Sequence, residues 1–252
     1  MGAFLQALAL LGWTIGRNVR IDTRWSGVNA TETRRHAAEL AALAPDVILA
    51  HGSSTVGPLL QATRTVPIVF PVIADPVGAG FVDSLARPGG NATGFMELEY
   101  SMGGKWLELL KQIAPSVTRA AVLRDPSQGS GTNQFAAIQA VAPSLRVEVT
   151  PVGLRDTDEI ERALSAFARS PNGGLIVTAG AATVLHGNLI ITLAARHKLP
   201  AVHNERSFAA AGGLVSYGPD FRRPVPARGR LCRSHPQGRK ARGPSCASAD
   251  QV

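Results

Sequence analysis

The sequence predicts an α/β protein made of two doubly wound parallel-sheet lobes. Strand-like segments with alternating or continuous apolar residues are followed repeatedly by helix-like segments with apolar residues three and four positions apart. This order is typical of parallel sheets that are covered by helices. The pattern begins again near residue 100, and 252 residues, of which 45% are hydrophobic, are enough to bury a core in each of two lobes.

The first lobe is predicted over residues 1–97. Residues 1–13 have apolar side chains at helical spacing and lack the basic start and small-residue cleavage site of a signal peptide, so they predict a helix. A two-residue period predicts a strand at 18–25. The rest predicts a helix at 31–43, a strand at 46–52, a helix at 54–63, a strand at 66–72, and, within 73–95, a loop, a short helix, a Pro-Gly-Gly turn and a strand.

The second lobe is predicted over residues 98–221. It begins with a helix at 101–114 that has Trp106, Leu109, Leu110 and Ile113 on one face. A strand at 119–125, a helix at 132–142, a strand at 147–152 and a helix at 156–169 follow. The segments 173–180, 182–197, 199–204, 206–212 and 213–221 complete the lobe and lead the chain back toward the first.

The basic charge of the chain is confined to its tail. Residues 1–221 contain 18 Lys and Arg against 17 Asp and Glu, a net charge of +1, whereas residues 222–252 contain 8 against 1, a net charge of +7. The tail has no aromatic residues on which bases could stack. We therefore expect no nucleic-acid partner, although a nucleic-acid-binding protein that acts through this tail remains an alternative function. No apolar run approaches the roughly 18 residues of a membrane span, so we expect no membrane insertion.

Ligands of open parallel sheets bind beyond the carboxyl ends of the strands. Ser53, Ser54 and Thr55 follow the strand at 46–52 and offer hydroxyls and helix-start amides to a carboxylate or other small anion. The alternative is that Ser54 or Thr55 only caps its helix. Asp75 follows the next strand and could pair with a ligand ammonium or hydroxyl, while an Asp before a proline is also common in turns.

Three loops at the equivalent edge of the second lobe are further candidates. The loops at 124–132 and 178–188 are rich in small residues, which allow a ligand to approach the backbone closely. In the loop at 203–208, Glu205 is a candidate ligand contact, with a solvated ion pair to Arg206 as the alternative.

Catalytic patterns are absent from the sequence. The segment HGSSTVG lacks the spacing of a nucleophile elbow, no phosphate-binding loop occurs, and the GAGF stretch lacks the third glycine of a dinucleotide fingerprint. The six histidines have no metal-ligand spacing, and both cysteines lie in the tail. We therefore expect no catalysis, no cofactor and no metal, with an enzyme of flavodoxin-like fold kept as an alternative.

Five stretches carry a resemblance to a known family: GWTIGRNVRIDTRW, LAPDVILAHGSSTVGPLLQAT, VPIVFPVIADPVGAGFVDSLARPGGNATGF, KWLELLKQIAP and AAGGLVSYGPDF. They resemble the solute-binding components of ABC importers, in the branch that includes tryptophan- and tyrosine-binding proteins. The resemblance covers roughly residues 3–221, and DPVGAGFVDSLARPGGNATG is its most specific part.

The resemblance implies a type I periplasmic-binding-protein-like fold that closes on a small, amino-acid-like solute and delivers it to the membrane subunits of an ABC permease in the periplasm. It further implies that the first-lobe wall of the site consists of Ser53, Ser54, Thr55, Ala74, Asp75 and Pro76. The second-lobe wall would consist of Asp125, Ser127, Gly180, Ala181, Ala182 and Glu205. In this arrangement Asp75 would hold the solute's ammonium group.

The chain departs from the family at both ends. Members normally begin with an export signal and a first strand, whereas this sequence begins at the first helix, so we expect an N-terminally truncated chain that would stay cytoplasmic as written. After YGPDF the familiar pattern gives way to Arg, Pro, Gly, Ser and Cys. Reading residues 223–252 from the second base can restore the family's usual ending, so we expect an out-of-frame, disordered tail.

Overall fold

The structure is a computed structural model that describes residues 2–27 and 29–219, so the predicted tail at 222–252 lies outside the described residues. Two parallel sheets with flanking helices make up the described chain. The helices are α1 (Gly2–Leu10), α2 (Ala30–Ala42), α3 (Ser53–Ala62), α4 (Met102–Ile113), α5 (Gly129–Val141), α6 (Thr157–Phe167), α7 (Ala181–Leu185), α8 (Gly187–Arg196) and α9 (Arg206–Ala210). The strands are β1 (Ile48–Leu49), β2 (Ile68–Ala74), β3 (Ala92–Leu98), β4 (Arg119–Arg124), β5 (Glu148–Gly153), β6 (Gly173–Val177), β7 (Ala201–His203) and β8 (Val215–Ser216).

The first lobe consists of the three-stranded sheet β1-β2-β3 with α2 and α3. All neighbouring strands in it run parallel, and β2 lies in the centre. Ile68, Phe70 and Ile73 of β2 are buried in one cluster with Val56 and Leu59 of α3. The apolar run of β2 therefore forms the core of this lobe, as expected of a central parallel strand.

The second lobe consists of the five-stranded parallel sheet β5-β4-β6-β7-β8 with α4 to α9. Side chains of α4 and α5 pack on one face of the sheet, and side chains of α6 and α8 pack on the other. Every residue of β6 and the four central residues of β4 are buried. Burial on both faces explains the continuous apolar runs of these strands, and the predicted doubly wound α/β fold is confirmed.

The two lobes meet at the carboxyl ends of β2 and β3. Ala74, Leu98 and Tyr100, at or just after these ends, belong to the same buried cluster as Trp106 of α4 and Ile176 of β6. The chain crosses from one lobe to the other here, since α4 follows β3 after three residues, 99–101. The loops that follow the strands of both sheets therefore face a common space.

Two predicted elements of the first lobe are wrong. Residues 18–25 form no strand, because β1 pairs only with β2 among the described residues and no neighbouring strand is available to them. Their segment makes one isolated bridge, between Ile15 and Val19. The short helix predicted within 73–95 is absent: residues 76–80 form turns, with Gly80 at a φ of 71°, and residues 81–91 contain no helix.

No helix in the described parts of the chain combines the length and the apolar character that crossing a membrane requires.

Candidate functional site

A cleft of about 390 Å³ lies between the two lobes, beyond the carboxyl ends of their strands. This volume is within the range that holds small organic ligands. The first lobe contributes α2, the start of α3 and the loop after β2, and the second lobe contributes the loop after β4 and the start of α5. The polar side chains in its lining include Arg34, Ser53, Ser54, Gln61, Tyr100, Asp125, Ser127, Gln128, Ser130 and Asn133.

Five of the predicted ligand-binding residues line this cleft. Ser53 and Ser54 come from the first lobe, and Asp125, Ser127 and Ala181 come from the second. They meet because each follows the carboxyl end of a parallel strand, and these ends face each other across the lobe junction. Their role in binding stays a prediction.

Two helices begin at the cleft with no side-chain cap. The N-cap of α3 is Gly52, with a φ of 84°, and the N-cap of α5 is Gln128, which makes no capping hydrogen bond with its side chain. By contrast α2, which begins at the rim of the cleft, is capped by Asn29, whose Oδ1 accepts hydrogen bonds from two backbone amides. The amides of Ser53 and Ser54 in α3 and the first-turn amides of α5 are therefore open to an anionic group, whereas the Thr55 amide donates to the Gly52 carbonyl at 3.2 Å.

The alternative that Ser54 or Thr55 only caps α3 does not describe the observed helix. The N-cap is Gly52, and no side chain caps the first turn. The Thr55 hydroxyl donates instead to the carbonyl oxygens of His51 and Gly52, at 3.1 and 2.9 Å. Thr55 does not line the cleft, whereas the half-buried Ser53 and Ser54 do.

One cationic and one anionic side chain line the cleft. Arg34 projects from α2 and forms no ion pair with any residue in the described ranges. Asp125 is only 8% exposed, and its Oδ1 accepts hydrogen bonds from the Ser127 amide at 2.9 Å and the Ser127 hydroxyl at 2.6 Å. These bonds fix the carboxylate, and no donor within 2–27 or 29–219 reaches its Oδ2. The charged lining is therefore complementary to a zwitterion.

Asp75 ties the loop after β2 together. Its Oδ1 accepts a hydrogen bond from the Gly78 amide at 2.7 Å, and its Oδ2 accepts one from the Tyr100 amide at 3.4 Å. The residue has a φ of 39°, which Asp tolerates better than most side chains. Asp75 therefore stabilises a turn, which is the role that the sequence left open beside ligand binding. Neither it nor its buried neighbours Ala74 and Pro76 line the cleft.

The loop between β6 and α7 is held by buried hydrogen bonds. The Gln134 side chain donates to the Ala179 carbonyl at 3.1 Å and accepts from the Ala179 amide at 2.8 Å. The Thr178 hydroxyl donates to the Leu123 carbonyl at 2.9 Å. These bonds fix the approach to Gly180, Ala181 and Ala182, of which the exposed Ala181 lines the cleft while Ala182 is buried.

Glu205 lies outside the cleft lining, at the start of α9. Its Oε1 accepts a hydrogen bond from the Ser207 hydroxyl. Burial, and next to it the charge of Glu205, raise the pKa of Glu97 of β3 to about 7. Glu97 belongs to the first lobe and Glu205 to the second, so the two acidic side chains repel each other across the junction.

Several cleft residues were missed by the sequence reasoning, and Arg34, Asn133 and Tyr100 are the three that matter most for the chemistry of the cleft. Arg34 and Asn133 lie inside helices, and only the folded chain shows that these positions face the opposite lobe. Tyr100 follows the end of β3 by two residues, so the strand-end rule that selected Asp75 could also have selected it. In the described ranges, no three His, Cys, Asp or Glu side chains come together to hold a metal ion.

Two parallel α/β lobes that face a polar cleft define a bilobed ligand-binding protein. The sequence profile of the ABC transporter substrate binding protein family matches residues 1–223, and the chain belongs to this family. The predicted resemblance is thereby confirmed.

Similar proteins support the assignment. A tyrosine-binding protein of Clostridioides difficile (strain R20291) is 26% identical over 224 residues, which are 86% of this chain and 62% of the relative. A conserved domain protein of Vibrio cholerae has a similar crystal structure, with a TM-score of 0.76, 25% identity, and coverage of 85% of this chain and 72% of that one. The ABC domain of Streptococcus pneumoniae in complex with L-Trp has a TM-score of 0.74, 22% identity and the same coverage, and shows the same fold.

The chain spans about 62% of the length of the curated relative that it matches.

Proposed function

We propose that this protein is the solute-binding component of an ABC import system, which captures a small amino-acid-like molecule between its two lobes and delivers it to a membrane permease. It acts in the periplasm and performs no catalysis. In this proposal, residues 1–97 and 98–221 are the two lobes between which the solute is bound. The relatives support the proposal, since one is named for tyrosine binding and a protein of the same fold was crystallised with L-Trp.

The observation that carries the proposal is the placement of opposite charges across one cleft. Arg34 and the uncapped start of α3 offer positive potential on the first lobe, and Asp125 offers a carboxylate on the second. A free amino acid has a carboxylate and an ammonium group on the same carbon. It can therefore contact both lobes at once, and its binding would hold them together.

We assign the solute carboxylate to the start of α3, where the Ser53 and Ser54 hydroxyls and the backbone amides donate hydrogen bonds and Arg34 supplies charge. The solute ammonium is assigned to Asp125, in place of Asp75, because both Asp75 oxygens already accept hydrogen bonds from backbone amides. Ser127 orients the Asp125 carboxylate. Ala181 and the remaining predicted residues of the second wall, Gly180, Ala182 and Glu205, shape the loops behind it.

Isothermal titration calorimetry with the twenty amino acids tests this function on the full chain. We expect at least one amino acid to bind, and Asp125→Asn to weaken that binding about 10- to 100-fold, since a hydrogen bond to a charged group contributes roughly 1.5–3 kcal/mol. Asp46→Asn is the matched control, because Asp46 is exposed and lies outside the cleft.

Arg34→Ala is expected to weaken binding of the same amino acid in the same way, with the exposed Arg64→Ala as its control. Absence of binding by all twenty amino acids, or equal binding by Asp125→Asn and Asp46→Asn, would contradict the proposed function.

A further inference from the structure

A buried hydroxyl without a partner lies in the lining of the cleft. Tyr100 is 8% exposed, and its hydroxyl makes no well-formed hydrogen bond with any residue in the described ranges, although the Asn133 side chain lies close to it. Nearly all buried polar groups in folded proteins are hydrogen-bonded, so such a group calls for an explanation. Burial raises the pKa of the phenol, and Asn133 opposes that rise. The group is thus a neutral O–H near pH 7.

Packing alone does not account for a tyrosine at this position. Its ring belongs to the buried cluster that includes Leu98 and Trp106, where a phenylalanine would fill the same space without burying an unpaired hydroxyl. The backbone of Tyr100 is independently fixed, because its amide donates to Asp75 Oδ2 at 3.4 Å and its carbonyl accepts from the Gly103 amide at 3.0 Å. The hydroxyl is therefore not needed to hold the backbone of Tyr100 in place.

The position of this hydroxyl relates it to the bound solute. Tyr100 lies at the crossing between the lobes, and the half-buried Asn133 of α5 lines the same cleft from the second lobe. A phenol O–H and a carboxamide can each donate and accept a hydrogen bond. Together they suit a neutral polar group of the ligand better than a hydrocarbon group, which would leave both unsatisfied.

We infer that Tyr100 and Asn133 form a specificity site that selects amino-acid-like solutes carrying a hydroxyl or carboxamide group beyond the α-carbon. The inference rests on the proposed function, since it names the class of solute for the same cleft. Arg34 and Asp125 hold the zwitterionic end, and the Tyr100 hydroxyl pairs with the polar group of the solute side chain.

Matched pairs of solutes test this inference on the full chain. Calorimetry compares L-tyrosine with L-phenylalanine, L-threonine with L-valine, and L-glutamine with L-norleucine, for the unaltered protein, Tyr100→Phe and Tyr217→Phe. Tyr217 is the other tyrosine of the chain, is exposed and lies outside the cleft, so it gives the same chemical change elsewhere.

We expect the polar member of at least one pair to bind the unaltered protein about 3- to 10-fold more tightly, the range of one neutral hydrogen bond. Tyr100→Phe should remove that difference by weakening only the polar member, and Tyr217→Phe should preserve it. Binding without a difference in any pair, or a difference that survives in Tyr100→Phe, overturns the inference and leaves the proposed function standing. Absence of binding by all six solutes while another of the twenty amino acids binds overturns the inference alone, and absence of binding by all twenty contradicts both.

Discussion

The two lobes have the same kind of parallel sheet, but the sheet of the second lobe is buried more completely than that of the first. In the second lobe, helices cover both faces of a five-stranded sheet, and β4 and β6 are buried along almost their whole length. In the first lobe, β1 has two residues and, within the described parts of the chain, a strand partner on one side only. Val47, Leu49 and Trp25 are 52%, 48% and 74% exposed. The same βα pattern in the sequence thus gives a fully buried sheet only where neighbouring strands are available.

This difference in burial indicates that the second lobe contributes more to the stability of the fold than the first. Trp106, Leu107 and Leu110 of α4 are all completely buried, whereas the described part of α1 has no buried side chain. Buried apolar area stabilises the fold in proportion to the surface removed from water. The second lobe should therefore act as the rigid platform of the cleft, and the first lobe should be the easier one to open or unfold.

The largest expected effect is the loss of stability when a buried leucine of either lobe is shortened to alanine. Leu110→Ala should lower the free energy of unfolding by about 4 kcal/mol, and the same change at Leu59 of the first lobe by about 2–3 kcal/mol, because a better-enclosed site collapses less around the cavity. Leu110 is completely buried, whereas Leu59 is 4% exposed. Urea denaturation measures both values, and equal losses would contradict the contrast between the lobes.

A second effect concerns the hydrogen bonds that fix the second-lobe side of the cleft. Gln134→Ala should cost about 2–3 kcal/mol, because it removes two buried hydrogen bonds and leaves the Ala179 amide and carbonyl unpaired. Gln139→Ala on the same helix is the control, since Gln139 is exposed. If thermal unfolding of the two variants is indistinguishable, the loop before α7 is not held in the way described.

The lobes should also differ in the sign of their pH dependence. The pKa of Glu97 is raised from 4.5 to about 7 in the folded protein. Between these pH values the folded first lobe holds a proton that the unfolded chain has released. The stability that this group contributes is therefore lost as pH rises through 7. In the second lobe, burial lowers the pKa of His203 to about 4. Stability from that group is lost as pH falls from about 6.5 toward 4.

Glu97→Gln should therefore stabilise the protein at pH 8 by about 1–2 kcal/mol and leave the opposite dependence of His203 visible below pH 6.5. Chemical denaturation at a series of pH values measures the slope. Glu148→Gln on the exposed edge strand β5 serves as the control and should change little. A Glu97→Gln variant that is no more stable than the unaltered protein at pH 8 would exclude a raised pKa for Glu97.

The smallest effect is expected at the junction of the lobes. Tyr100→Phe should raise the free energy of unfolding of the ligand-free protein by about 0.5–1 kcal/mol, because it removes a buried hydroxyl that has no partner in the described parts of the chain. Tyr217→Phe should leave the melting temperature unchanged. A loss of stability in Tyr100→Phe would show that the hydroxyl has a bonding partner in the free protein.

Sequence reasoning succeeded where the local pattern and the tertiary environment agree. The apolar runs of β4 and β6 are buried on both sheet faces, and β2 buries Ile68, Phe70 and Ile73 against its helices, so the positions and parallel arrangement of these three strands could be predicted. The strand predicted at 18–25 has the right period, but a strand also requires a neighbour, which no periodicity reveals.

The candidate site was predictable where it depends on strand ends and not where it depends on helix orientation. Ser53, Ser54 and Asp125 follow strands, and the topology alone brings them to one cleft. Arg34 and Asn133 enter the cleft from within α2 and α5, which requires the relative placement of the lobes. Asp75 satisfied the strand-end rule, yet its oxygens accept backbone hydrogen bonds, a detail that depends on the loop geometry.

The most direct test of a solute held between Arg34 and Asp125 is mass spectrometry of the small molecules released when the purified full chain is denatured. The account predicts that the unaltered protein and Asp46→Asn release an amino acid or a closely related zwitterion, and that Asp125→Asn releases much less of it. Release of a sugar, of an acid without an amino group, or of the same amount of zwitterion from Asp125→Asn would contradict the account.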